Sequence, residues 1–348
     1  GTGKSGSCDK PNTYYGAIKL NGCGCGPGLA RCYPYDHTYS QVRAEVFDSF
    51  REQIGKSIDE VTSGVLPYTD LILSSNAWIN GPLVHFKKSL APFIDWRSDS
   101  YNIADYDEQL PAKAYTDKTW KKYDRGGQHA GLLTLSAYLI RFQTNRGRAN
   151  RFYNAFMCSQ FQAPAQLEDA SNGCSDSTDD LQKRCTCRGC HVLVEPMASH
   201  WGRFAEGGST MLTDPMLFPL HQSICGTGRA GGNDGEFCKK FYVSRPEAHN
   251  PGALNGFQWA DVYPELATNA EQGPRHLAEQ AVDSGAFARC TVKKLFAAFH
   301  NRELRVTGPN ADEKEVLDTL AAEFKATGYQ FPKLAERLAT LPSYRRVR

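Results

Sequence analysis

Between Ser40 and Val61, apolar residues return every three or four positions as Val42, Val46, Phe50, Ile54, Ile58 and Val61, with Arg, Glu, Asp and Lys between them. That period predicts an amphipathic helix, which Gly64 and Pro67 then stop. A shorter apolar stretch, Leu71-Ile72-Leu73, leads to an Asn80-Gly81-Pro82 turn. Gly131 to Phe142 is strongly apolar, and Arg146-Gly147-Arg148 opens a helix with Phe152, Tyr153, Phe156 and Met157 on one face. Helical spacing returns near the end with Phe287, Cys290, Leu295, Phe296 and Phe299, then Val316, Leu317, Leu320 and Phe324, then Leu334, Leu338 and Leu341. Asn310 or Asp312 is expected to cap the second of these helices.

The stretches between carry little period. Residues 1–40 are rich in Gly, Pro and Tyr and hold Cys8, Cys23, Cys25 and Cys32, a composition that keeps its shape through cross-links. Residues 92–127, 163–180 and 202–275 read as irregular chain, the last with Cys225 and Cys238. Strand alternation is limited to short hairpins near 14–20 or 238–244, and no solenoid repeat is present. The expectation is a mainly α fold with long, disulfide-stapled loops and minor β-hairpins. It divides into a Cys/Gly-rich segment at 1–40, a helical domain at 41–165 and a second helical domain at 166–348 that contains the 202–275 loop.

Composition narrows the function classes. With Lys+Arg at 40 and Asp+Glu at 38 in 348 residues, the net charge of +2 does not mark a partner of nucleic acid. No stretch approaches the ~18 apolar residues of a membrane span, and Gly1 to Ser7 lacks the order of a signal peptide, so an exported chain would be a mature form or a fragment. Twelve cysteines point to an oxidising compartment, periplasmic or extracellular.

One group of them carries chemistry. Cys187-Arg188-Gly189-Cys190-His191 is C-x-x-C-H, the attachment signature of c-type haem. Thiols three positions apart share one side of a helical turn and can add to the two vinyl groups of one porphyrin, while the following His191 presents a nitrogen to iron. At this cysteine and histidine content, random order would give about 0.01 such matches. Two other readings stay open: zinc held by Cys185, Cys187, Cys190 and His191, or a redox dithiol of Cys187 and Cys190. Zinc sites usually draw their second ligand pair from further along the chain, and a thioredoxin setting needs a βαβ pattern that is missing here.

With His191 on one axial position, Met211, Met216 and His221 are candidates for the other, Met for a higher-potential carrier and His for a lower-potential one. A Met beside Leu212, Leu217 and Phe218 equally suits core packing. Arg188, Arg203 and Arg184 are candidate partners of haem propionates, and Trp201 and Phe204 of the porphyrin edge or the core. Ten cysteines remain, with Cys174–Cys185 and Cys225–Cys238 as local pairs. Cys158 and Cys290, on apolar helices, are read as candidates for packed free thiols.

The surroundings of the motif carry a resemblance. Leu132-Leu133-Thr134 through Arg146-Gly147-Arg148, the aromatic helix and Pro164, Cys187-x-x-Cys190-His191-x-x-x-Glu195-Pro196, Phe287-x-x-Cys290, Lys294-Leu295-Phe296 and Asn301-Arg302-Glu303 occur in that order. They resemble the consecutive C-terminal domains of unknown function in planctomycete and myxobacterial cytochrome c proteins. Phe47 to Ile58, Tyr68-Thr69-Asp70-Leu71-Ile72 and Trp78-Ile79-Asn80-Gly81-Pro82-Leu83 are similar to the domain that precedes them. The resemblance spans about residues 42–305 and implies a mainly helical, exported, haem-containing electron-transfer protein. The family's Met-Asp-Pro after the haem histidine is here Val194-Glu195-Pro196, and the 205–275 loop is longer than usual.

The function expected first is therefore a c-type cytochrome with a helical cytochrome c-like core and one covalent haem c. One haem in so long a chain suggests a redox partner protein and a larger homo- or hetero-oligomeric assembly. The alternatives are a peroxidase- or oxygenase-like haem enzyme with His200, His221 or His249 on the distal side, and a disulfide-stapled structural module.

Overall fold

The computed structural model describes residues 12–15, 18–20, 39–89, 110–159, 173–212, 218–308 and 311–342. Cys8, Cys23, Cys25, Cys32, Pro164, Asn310 and Met216 lie outside them. Among the described residues the fold is mainly helical. A hairpin of β1 (Asn12–Tyr15) and β2 (Ile18–Leu20) falls where the sequence allowed one.

Helix α1 (Tyr39–Thr62) follows its apolar period and belongs to two cores at once. Val42, Val46 and Phe50 pack on β3 (Asn76–Ile79), α3 (Gly81–Ser89) and β4 (Lys121–Asp124), while Val61 enters the larger cluster with α2 (Asp70–Leu73). The antiparallel pair β3–β4, in register from Asn76↔Asp124 to Ile79↔Lys121, corrects the reading of 92–127 as wholly irregular. Each strand has only four residues and Lys121-Lys122-Tyr123-Asp124 is mostly charged, so alternation alone gives little signal.

The larger core runs through the 41–165 and 166–348 segments together. It takes Leu133 from the 3₁₀ turn Gly131–Thr134, Leu139 from α4 (Ser136–Arg141) and Phe152 from α5 (Asn145–Phe156). Against these lie Val194 and Ala198 of α6 (Arg188–Ser199) and Trp201 just beyond it. The remaining walls are α9 (Pro264–Asp283), α10 (Ala286–His300), α11 (Lys314–Ala326) and α12 (Phe331–Ala339). Gly131, at φ +42°, is required where it stands, because an added Cβ would lie 2.1 Å from the Leu71 carbonyl oxygen.

The 202–275 stretch is less irregular than its composition suggests. It holds α7 (Ser223–Gly226), α8 (Gly232–Phe241) and the start of α9, so residues 238–241 are helical. Extended pairing among its described residues is confined to isolated bridges, such as that from Tyr242 to Leu254. Phe218, Phe237, Phe241 and Tyr242 form a second apolar cluster around the Cys225–Cys238 disulfide. The N-cap of α11 is Glu313 without a side-chain cap, and Asp312 pairs with Arg305 at 2.8 Å instead.

Three disulfides join described residues: Cys174–Cys185, Cys225–Cys238 and Cys158–Cys290. The last corrects the expectation of packed free thiols. It ties the end of α5 to α10 across 132 residues of sequence, and on loop entropy alone such a closure contributes about 5 kcal/mol.

Helix α9 is broken at Gly273-Pro274, where Gly273 adopts φ +73° and proline lacks the N–H that would continue the ladder. Side chains from elsewhere hold the freed carbonyls. His200 Nδ1 bonds to the Gly273 oxygen at 2.9 Å, and Gln128 Nε2 donates to the Glu271 oxygen at 2.9 Å. Burial, opposed in part by the Gly273 bond and aided by the His276 ring at 5.9 Å, carries the His200 imidazole down from 6.5 to about 4. His200 is thus neutral when folded and binds a proton more readily when unfolded. Its contribution is complete above pH 6.5 and is lost as pH falls toward 4, amounting to ~3 kcal/mol. The melting temperature is expected to drop across that window in the wild-type protein, with His200→Asn flattening the profile. Parallel profiles would show that other groups set the acid limit.

Candidate functional site

The C-x-x-C-H residues lie at the start of α6, behind a loop built to hold that helix end in place. Cys174–Cys185 closes the loop. Inside it the buried Asp180 carboxylate accepts from the Gln182 N–H at 3.0 Å and from the Tyr263 hydroxyl at 2.8 Å, joining the loop to the base of α9. Burial, assisted by Asp180, pushes the Tyr263 phenol up to about 12, so it remains a donor at neutral pH. The first turn of α6 then grows out of the loop through Cys187 N–H and Arg188 N–H, both bonded to the Arg184 carbonyl oxygen.

Cys187 is the N-cap residue and Cys190 stands in the first turn; both are half-buried, and among the described residues these two are the cysteines outside any disulfide. Every other described cysteine is cross-linked. Cys185, which a zinc site would need as a fourth ligand, is bonded to Cys174. Among the described residues no group of three or more His, Cys, Asp or Glu side chains is arranged around a metal ion. A haem iron draws most of its coordination from the porphyrin, so it asks less of the protein: two reduced thiols three apart and an adjacent imidazole. Cys187, Cys190 and His191 supply that set.

His191 is held from its far side. Its Nδ1 lies 2.5 Å from Glu195 Oε1, one helical turn along α6, and Arg146 Nε of α5 donates to the same Oε1 at 2.7 Å. An acceptor at Nδ1 assigns the ring proton there and leaves Nε2 as the nitrogen with a lone pair. In the sequence Glu195 and Arg146 stand out only as parts of a resemblance, with no partner read for either. The i, i+4 spacing of His191 and Glu195 carries half of that pairing once the segment is taken as a helix.

The other site candidates are dispersed. Trp201 is fully buried in the larger core, donates its indole N–H to the Leu133 carbonyl at 3.2 Å and is enclosed by protein, as is Phe204. Met211 is buried in the same core and bridges to Phe204. His221 is exposed by a shallow groove, with Nε2 3.0 Å from the Pro251 carbonyl oxygen. Arg203 is committed to Glu271 at 2.7 Å and to the Leu212 carbonyl oxygen. Arg188, on the first turn of α6, is near enough to Tyr263 to act on its phenol electrostatically.

Comparison of the chain with protein-family models, with curated proteins and with solved structures gives no match. Among the described residues no helix is long and apolar enough to cross a membrane.

Proposed function

We propose that the protein is a c-type cytochrome of an oxidising, exported compartment, with one haem c that Cys187 and Cys190 would hold covalently and His191 would ligate. The observation that carries this is the sparing of two cysteines: where the other described cysteines are cross-linked, the pair inside C-x-x-C-H lies outside those disulfides, half-buried and three positions apart at the start of a helix. Each thiol would add across a vinyl group, forming an S–C and a C–H bond with nothing released. The bound group supplies a one-electron iron couple. The chain supplies the rest: α6 sets the spacing of thiols and imidazole, Glu195 fixes the ring and its proton, and the Cys174–Cys185 loop anchors the helix end.

Electron transfer is favoured over reaction at the iron because each histidine suited to a distal role has a protein partner. His200 is tied to Gly273, His221 to Pro251, and His249 to Asp261 at 2.8 Å while stacked on Trp259. Val192 and Leu193, both exposed and next to the motif, fit a surface that meets a redox partner or another subunit.

A visible spectrum of the purified holoprotein, with and without carbon monoxide, tests this. A covalent haem is expected, and a low-spin reduced spectrum indifferent to the gas would support the carrier. A high-spin iron that takes up the gas would move the assignment to a haem enzyme, and a negative pyridine haemochrome assay would remove the haem altogether.

A further inference from the structure

Two charged groups of opposite sign meet behind His191. Glu195 Oε1 receives both the His191 Nδ1–H, at 2.5 Å, and the Arg146 Nε–H, at 2.7 Å. The Glu195 side chain is only 18% exposed, whereas Arg146 is 47% exposed. The carboxylate is therefore sheltered while its counter-charge sits nearer to solvent, and α5 brings that counter-charge to α6 from a different part of the chain.

We infer that Glu195 and Arg146 form an opposed pair of positioning residues that sets the reduction potential at His191, Glu195 lowering it and Arg146 raising it. This rests on the haem reading above. A carboxylate that takes the Nδ1 proton in a charge-assisted bond gives the imidazole more anionic character and makes Nε2 a stronger donor, which favours the ferric over the ferrous state. Arg146 withdraws part of that effect in two ways: it shares the accepting oxygen, and it places a positive charge next to the carboxylate. The two substitutions therefore shift the couple in opposite directions, which a purely structural helix pair would not do.

The test is a spectroelectrochemical titration of the purified holoprotein at fixed pH and ionic strength. Glu195→Gln keeps the shape and removes the charge; its midpoint is expected to rise by about 59 mV, a tenfold change in the ferric-to-ferrous ratio for one electron. Glu195→Asp, which retains the charge, should fall between Glu195→Gln and wild type. Arg146→Gln is expected to lower the midpoint, by less than Glu195→Gln raises it, because solvent screens the exposed guanidinium. A zero shift, or one of the wrong sign, in either charge-removing variant overturns the inference. If Glu195→Gln does not fold, the sign of the shift in the exposed Arg146→Gln variant decides alone. Wild-type protein without a haem spectrum overturns the haem reading itself, an outcome distinct from a haem protein whose potential does not move.

Discussion

Arg148→Met is expected to leave the protein without a cooperative unfolding transition. The guanidinium is fully buried, and burial lowers it to about 10, so it is still charged at neutral pH. The groups that hold it are neutral oxygens. Nε donates to the Phe142 carbonyl at 3.0 Å, Nη1 to Asn145 Oδ1 at 2.8 Å and Phe204 O at 3.2 Å, and Nη2 to Leu139 O at 3.2 Å, Ala205 O at 2.8 Å and Gly208 O at 3.0 Å. These carbonyls come from α4, the turn after it and the segment beyond α6, so one side chain fastens three pieces of backbone beside the larger core. Methionine fills the space but removes all of these donors, leaving the Ala205 oxygen to the Gly208 N–H at 3.3 Å and the other carbonyls without the guanidinium. At ~1–3 kcal/mol for each unsatisfied carbonyl the loss reaches the whole stability of an ordinary domain. Arg148→Lys keeps the charge but offers three donors from a single point, and it too should melt far below wild type by circular dichroism. A Lys variant melting within a degree or two of wild type would show that charge alone, and not the fork, holds the segments.

The second large effect concerns the two thiols of the motif. In a host able to attach haem, Cys187→Ser with Cys190→Ser should abolish the covalent adduct completely: the acid-denatured polypeptide loses the mass of a haem and the haemochrome band is absent from the protein fraction. Either single variant should keep one thioether, with the band displaced toward that of non-covalent haem. The fold should survive in all three, because neither cysteine is in a disulfide and both are half-buried, so that losses of ~0.5 kcal/mol are expected. Identical haemochromes from wild type and the double variant would refute the attachment.

The two cases differ in how far they can be read from sequence. The motif Cys187-x-x-Cys190-His191 stands out in the sequence because the chemistry proposed for it fixes residue type and spacing together. The surrounding helices are legible where one face is apolar, as in α1 and α10 to α12. The role of Arg148 is not, since five of its six acceptors are backbone oxygens, which every residue possesses and which converge only after folding. Cysteine pairing divides the same way. Cys174–Cys185 and Cys225–Cys238 are near in sequence and proximity alone suggests them, whereas 132 residues separate Cys158 from Cys290 and nothing local links them. The reading of 202–275 as irregular misses the start of α9, and with it the break at Gly273-Pro274 and the hold of His200 and Gln128 on it.

The Cys174–Cys185 loop also sets a sorting problem during biogenesis. Cys174, Cys185, Cys187 and Cys190 fall within one short stretch, and four thiols allow three complete pairings. Only a partial pairing that joins the first two leaves the last two available. In the finished protein Cys174 and Cys185 are both buried, which removes their bond from attack by the neighbouring thiols. Until the loop has docked through Asp180 and Tyr263 that shelter does not exist, and oxidation arriving early would scramble the set. If Cys187 and Cys190 carry a haem, maturation would be a race between loop docking and oxidant, and a host that oxidised the chain before the loop closed would yield well-folded-looking protein unable to take up the group.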